Sequence, residues 1–122
     1  MGGCVMSQLN VDTIKNAAGT HERFPCTAWC KFNGIGTAAV DDSGNMSSIT
    51  DNGVGNFTFT FDVALDNATY AFLGSSRAEN VILTVKNAGT YSTTAVQVYS
   101  QVGTTGAANA NSGHIAIFGG LS

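Results

Sequence analysis

The amino-acid sequence predicts an all-β domain, an antiparallel β-sandwich or jelly roll. Short segments that alternate apolar and polar residues, or that are rich in β-branched and aromatic residues, recur along the chain. Turn sequences rich in Asn, Asp and Gly separate them every roughly 8–12 residues, a spacing typical of antiparallel sandwiches and jelly rolls. No window has the length and periodicity of an ordinary helix.

Seven or eight strands are predicted between these turns. The candidate segments, in chain order, are residues 27–32, 35–40, 46–50, 55–65, 69–73, 80–86, 91–102 and 114–118. Asn33-Gly34 ends the first segment, residues 41–45 end the second, and residues 51–53 end the third. Asp66-Asn67 and residues 87–89 supply later turns. These residue types are expected there because Asn, Asp and Gly tolerate the backbone geometry of tight turns.

The clearest alternation lies in the fourth candidate segment, residues 55–65. Phe57, Phe59 and Phe61 point to one face, while the Thr and Asp residues between them point to the other. Residues 91–102 also alternate, and a loop of small residues at 103–113 leads to the last strand. The residues expected in the core are Trp29, Phe32, Phe57, Phe59, Phe61, Ile115 and Ile117.

The only proline, Pro25, separates two regions of different character. Residues 1–24 are too few to fold alone, and we expect them to form a short extended arm that packs on the rest of the chain, on another copy or on a partner. Residues 25–122 are predicted to form the sandwich domain. After a Gly-rich start, Leu9 and Val11 alternate as in a short strand, although a short helix from Asn10 to Lys15 is the alternative. The candidate residues for anchoring a partner are Leu9, Val11 and Ile14.

Composition limits the classes of partner. Of the 122 residues only 11% are charged, less than half of the usual ~25%, and 14 Thr, 11 Asn and 10 Ser residues make the chain polar instead. The five basic residues are scattered, which does not favour nucleic-acid binding. No apolar run approaches the roughly 18 residues of a membrane span, and the N-terminus lacks the pattern of a secretory signal. The sequence therefore predicts neither nucleic acid nor membrane as a partner.

The same scarcity of charge bears on oligomerisation. Sandwiches have edge strands, which charged residues and prolines normally protect against pairing with other chains. Because this chain has few charges and 1 proline, we expect neighbouring copies to cover its edges.

No motif predicts a catalytic, cofactor or metal site. The three cysteines, Cys4, Cys26 and Cys30, are an odd number, and the last two would lie roughly 13 Å apart on a strand, too far to form a disulfide. They are predicted to be free, buried thiols. The two histidines are not gathered with them by any metal or nucleophile motif. The acidic segments 41–45 and 51–53 do not match an EF-hand, and turn geometry accounts for their composition.

Several short motifs, taken in order, carry a more specific signal. They are residues 9–20, 28–34, 48–61, 66–71 and 114–119. Together they resemble the small C-terminal knob module of tailed-bacteriophage tail fibres and of related virion appendage and decoration proteins, over nearly the whole chain. The resemblance implies a β-rich, usually trimeric, non-enzymatic part of the virus particle. A fibre knob normally follows a long shaft; because the motifs begin at residue 9, we expect this chain to depart from that pattern and to have no long shaft.

The leading hypothesis is therefore a virion structural protein, assembled in the host cytoplasm, that serves as a short attachment or adhesion module of the tail. Its expected partners are two further copies of itself, another virion protein of the tail or capsid, and a glycan of the host surface. A capsid cement or head-decoration protein is the first alternative. The second is a free carbohydrate-binding module, in which aromatic residues such as Trp29, Tyr70, Tyr91 and Tyr99 would stack on a sugar, although a place in the core is the more common role for such residues.

Overall fold

A computed structural model of the chain describes residues 14–15, 17–20, 22–23, 26–103, 106–107 and 112–121. Within these ranges the fold is all-β and contains no helix, as the sequence predicts. The strands of the described residues are β1 (Ile14–Lys15), β2 (Glu22–Arg23), β3 (Cys26–Asn33), β4 (Ala39–Gly44), β5 (Met46–Asp51), β6 (Asn56–Phe61), β7 (Tyr70–Ser76), β8 (Val81–Val85), β9 (Ala95–Val102), β10 (Gly106–Ala107) and β11 (Gly113–Gly119).

The long strands form two antiparallel sheets, consistent with a β-sandwich. The first sheet has the strand order β4-β3-β11-β7. The second sheet contains β5, β6, β9 and β8 in that order, and β10 pairs with the end of β9. In the middle of the first sheet, the first and the last of these long strands, β3 and β11, pair along almost their whole length. The strands β1 and β2 form a separate two-stranded ladder.

The core consists of side chains from alternate positions of both sheets, since successive residues of a strand face opposite sides. On β3, Ala28, Cys30 and Phe32 are buried. The other large, fully buried side chains come from β6, β9 and β11: Phe57, Phe59, Val96, Val98 and Ile117. Six of the seven expected core residues are thus confirmed, and Trp29 is the exception, with 40% of its surface exposed.

Phe32 is the centre of the aromatic packing. Its ring meets Phe59 edge-on at a centroid distance of 4.9 Å and lies 5.6 Å from Phe57. Burying each such side chain stabilises the fold by about 1.5–3 kcal/mol, and edge-to-face ring pairs add to this. This cluster joins β3 of the first sheet to β6 of the second, so it holds the sandwich together.

The predicted second strand, residues 35–40, is wrong over most of its length. Residues 35–37 form a bend in which the Ile35 amide donates to Asn33 Oδ1 at 3.0 Å. The strand β4 instead begins at Ala39 and continues through most of residues 41–45, which the sequence predicts as a turn. Pairing with β3 holds this acidic segment extended, and the chain reverses only at Asn45, whose φ is 52°. Tertiary pairing here overrides the turn propensity of the residues.

Two other predicted strands are too long, and one predicted loop contains a short strand. The strand predicted at 55–65 ends at Phe61, and the strand predicted at 91–102 begins only at Ala95. Ser92 explains the second difference, because its Oγ accepts hydrogen bonds from the backbone amides of Thr94 and Ala95, both at 3.2 Å, and turns the chain before the strand. Strand β10 lies within the loop predicted at 103–113. The remaining predicted strands agree with the structure within a few residues.

Only part of the predicted arm can be described. Leu9 and Val11 lie outside the described residues. Ile14 begins β1, where it pairs with Arg23 of β2 across a turn that contains Gly19 at φ 71°. The anchoring role of these three residues stays a prediction.

Candidate interaction surfaces

The outer face of the second sheet is polar where β5, β6 and β9 lie side by side. A row of Thr50, Thr58 and Gln97 crosses β5, β6 and β9 in register. These side chains bond to near neighbours: Asn52 Nδ2 donates to Thr58 Oγ1 at 2.7 Å, and Gln97 Nε2 donates to Asn56 Oδ1 at 2.8 Å. This face is therefore compatible with water, and its polar groups are already partly satisfied within the domain.

The outer face of the first sheet is apolar over its central part. Ala116 on β11 pairs with Trp29 of β3 on one side and with Leu73 of β7 on the other. Phe118 follows two residues after Ala116 and lies on the same face, because β11 pairs with β7 without a register shift through this stretch. Leu73 is 54% exposed, Trp29 40% and Phe118 36%. Since directly opposed residues lie about 4.5–5.5 Å apart, Trp29, Ala116 and Leu73 form one continuous row. This row together with Phe118, which comes next on the same face of β11, is called here the apolar face.

Trp29 lies between the buried Ala28 and Cys30 on β3. It faces outward because successive residues of a strand point to opposite faces. Its indole lies over Gly44, its cross-strand partner on β4. A Cβ atom built on Gly44 would stand 2.8 Å from Trp29 Cδ1 and closer still to Nε1. The glycine thus leaves the space that the indole occupies, so the ring covers the backbone of the edge strand while much of it stays in contact with solvent.

A shallow depression continues the apolar face between β7 and β11. It has a volume of about 260 Å³ and is lined by Leu73, Gly74, Ser75, His114, Ile115 and Ala116. Gly74 contributes no side chain, and the side chain of Ile115 is buried in the core. The depression could receive a side chain from a neighbouring molecule that covers the apolar face.

A second depression, which is polar, lies at the end of the first sheet where β3 and β7 end and β11 begins. Its volume is about 350 Å³. It is lined by Lys31, Asn33, Asp41, Arg77, Ala78 and Ser112. We call it the polar depression. Two of the five basic residues of the chain meet there, although the net charge of the protein is -3.

The fold positions the backbone of the charged residues of the polar depression at three places. Lys31 stands on β3 between its paired neighbours Asp42 and His114. The Arg77 amide donates to the Ser112 carbonyl at 2.9 Å, which ties the end of β7 to the start of β11. Asp41 lies at a register shift between β3 and β4, a type of irregularity that re-aims side chains. Neither the Lys31 nor the Arg77 side chain forms an ion pair or hydrogen bond with another described residue.

The cysteines carry no site among the described residues. Cys30 is buried, and burial together with the nearby Asp41 charge raises its pKa to about 12, so the thiol stays protonated and inert at neutral pH. Cys26 is exposed, which corrects the expectation of a buried thiol; both are free. Cys4 lies outside the described residues. Within the described ranges, no group of three or more His, Cys, Asp or Glu residues could hold a metal ion.

Sequence reasoning missed both surfaces of the first sheet. The signal for the apolar face was present, because Trp29 is out of phase with Ala28, Cys30 and Phe32 on the same strand. No local signal marks the polar depression, since Lys31, Asp41 and Arg77 come from separate segments that only the sheet brings together.

Comparisons of the chain with protein-family models, with curated proteins and with solved structures find no match. Among the described residues, no helix is long and apolar enough to cross a membrane.

Proposed function

We propose that this chain is a non-enzymatic structural protein of a tailed-bacteriophage particle, a short tail-fibre-like attachment module that assembles as a homotrimer. Two lines of reasoning support the proposal. One is the resemblance of its ordered motifs to tail-fibre knobs. The other is the apolar face, which is the single observation that supports assembly into a trimer. A contiguous apolar patch on one side of a small domain, opposite a polar side, is typical of a surface that another protein covers.

A second and third copy of the chain are well suited to cover this face. Near a threefold axis the same residues of three copies meet, so a single apolar row on each subunit suffices to build a shared apolar centre. Only 11% of the residues are charged, which keeps repulsion between identical copies small. The row of Trp29, Ala116 and Leu73 itself contains no charge.

The oligomeric state in solution tests the assembly proposal. We expect size-exclusion chromatography with light scattering to give a trimer for the unmodified chain and a monomer for Leu73→Gln. Ile82→Gln is the matched control, because Ile82 is 53% exposed against 54% for Leu73 but lies on the second sheet. Ile82→Gln should remain trimeric. A monomeric unmodified chain, or equal dissociation of both variants, would contradict the proposal.

The number of copies in the virus particle tests the location. Quantitative mass spectrometry of purified particles should give a ratio of only a few per cent relative to the major capsid protein if the chain is a tail appendage. A ratio near that of the capsid protein would instead indicate the cement or head-decoration role. Absence from the particle would remove both and leave the carbohydrate-binding module as the remaining hypothesis.

A further inference from the structure

We propose that the polar depression binds an acidic sugar, with Lys31 and Arg77 holding the carboxylate of the sugar and Asp41 and Asn33 holding its hydroxyl groups. This adds a ligand to the module and does not depend on how the copies assemble. The depression lies beyond the apolar face, at the end of β3, and its described lining residues come from several segments of one chain.

The two basic side chains give the depression its preference for an anion. Among the described residues that line the depression, Lys31 and Arg77 carry two positive charges and Asp41 carries one negative charge, within a protein whose net charge is -3. Neither side chain is engaged with another described residue, so both are free to bind a ligand. A guanidinium can hold a carboxylate through two parallel hydrogen bonds, which fixes the orientation of the ligand.

Asp41 decides what kind of anion fits. Its carboxylate lines the same depression, so a compact ion such as phosphate would meet repulsion on one side. A sugar acid avoids this repulsion. Its carboxylate, which Lys31 and Arg77 would bind, is on one carbon, and its hydroxyl groups, which can donate to Asp41, are on other carbons. Asn33 adds a donor for the same hydroxyls, since its Oδ1 already accepts from the Ile35 amide and its Nδ2 remains available.

The size of the depression also fits a single sugar residue. Its volume of about 350 Å³ is near the lower end of the roughly 300–1,000 Å³ of small-molecule sites. The backbone that frames it is held by the Arg77–Ser112 hydrogen bond of 2.9 Å and by the Ala78 amide, which donates to Ser76 Oγ at 3.1 Å. The backbone of the site is therefore in place before the ligand binds, which lowers the entropic penalty of binding.

The test is a titration of the full chain with glucuronate, followed by two-dimensional NMR of the backbone amides. We expect saturable shifts around Lys31, Arg77 and Ser112, and much weaker responses to glucose, to acetate and to inorganic phosphate. Arg77→Gln should weaken glucuronate binding by roughly tenfold or more, because it removes a charged hydrogen-bond donor. Equal binding of glucose would overturn the role of the cations, and binding of phosphate as tight as that of glucuronate would overturn the role of Asp41.

Lys86→Gln is the matched control, since it removes the same charge from the second sheet, where Lys86 Nζ lies 4.9 Å from the centre of the Tyr99 ring. It should leave glucuronate binding unchanged. An equal loss in Arg77→Gln and Lys86→Gln would mean that only the overall charge matters, and the site would be rejected. Absence of any saturable shift with glucuronate would also reject it. Neither result would bear on the trimer or on the particle, which are measured separately.

Discussion

The indole of Trp29 occupies the space that a side chain on Gly44 would otherwise fill. The two residues are direct cross-strand partners on β3 and β4. The chain therefore positions its only tryptophan on the outside of the sandwich by leaving its neighbour on the edge strand without a Cβ atom. A partly exposed ring that rests on backbone is held in one orientation, which suits a residue in an interaction surface.

Gly44→Ala should displace this indole. The new Cβ would stand 2.8 Å from Trp29 Cδ1, closer than real contacts allow, so the ring must move toward solvent. We expect a red shift of the tryptophan fluorescence and a loss of stability of about 1 kcal/mol, at the low end of the range for overpacking because an exposed ring can yield. Gly103→Ala serves as control, since nothing lies within 4 Å of a Cβ at Gly103. An unchanged emission spectrum of Gly44→Ala would show that the ring is not held by this contact.

Gly113→Ala should destabilise the domain more strongly than Gly44→Ala, because the ring that the new methyl group would meet is buried and cannot move aside. The new Cβ would stand 2.6 Å from Cε1 and Cζ of Phe32, which is fully buried, and 3.2 Å from Leu83 Cδ1. We expect a loss of about 1–3 kcal/mol in the free energy of unfolding, measured by denaturant titration.

A double variant separates this overlap from other effects of the added methyl group. In a Phe32→Leu background, the additional loss caused by Gly113→Ala should be smaller, since the shorter side chain leaves room. The same loss in both backgrounds would disprove the proposed overlap with the ring.

Asn45 joins the two sheets. Substitutions there should separate the contribution of its side-chain hydrogen bonds to stability from the cost of its positive φ. Its backbone has a φ of 52°, and its side chain exchanges two hydrogen bonds with Val63, at 2.7 Å from the Val63 amide and at 3.1 Å to the Val63 carbonyl. Asn45→Gly removes these bonds without backbone strain and should cost about 1–2 kcal/mol. Asn45→Ala adds the strain of a left-handed conformation and should cost about 1 kcal/mol more. Equal stability of the two variants would show that the strain is negligible.

The domain should lose stability in alkaline solution through Tyr70. Burial, with the nearby Tyr91 charge as a smaller cause, raises the pKa of Tyr70 from 10.0 to about 12. The unfolded chain therefore releases this proton first, so the stabilising contribution is complete below about pH 10 and is lost as the pH rises toward about 12. The raised pKa of Cys30 acts with the same sign.

Denaturant titrations across this alkaline range test the prediction. Tyr70→Phe should be less stable at neutral pH by about 1 kcal/mol, because it loses the hydroxyl's bond to Ser92, yet its stability should fall less steeply above about pH 10. An equally steep fall in Tyr70→Phe would assign the alkaline transition to other groups. The Tyr70 and Tyr91 rings stack at a centroid distance of 4.3 Å, and the phenylalanine keeps this contact.

The prediction succeeded where the pattern is local. Phe57, Phe59 and Phe61 are buried as expected, because the alternation of a strand follows from the backbone alone. The prediction was wrong at residues 35–45, where turn-forming Asp, Ser and Gly residues become part of β4 because they pair with β3. A favourable partner strand outweighs a local propensity, and the sequence does not reveal which strands are partners.

The amino-acid sequence by itself determined the all-β class, most of the strands and six residues of the core, since each depends on residues close together in the chain. Only the tertiary structure decided that Trp29 lies outside, in register with Ala116 and Leu73, and that Lys31 and Arg77 share one depression. These arrangements depend on the order and register of strands that are distant in sequence. Pairing in a sheet is a long-range interaction, and it fixes which side chains meet on the outer face of the sandwich.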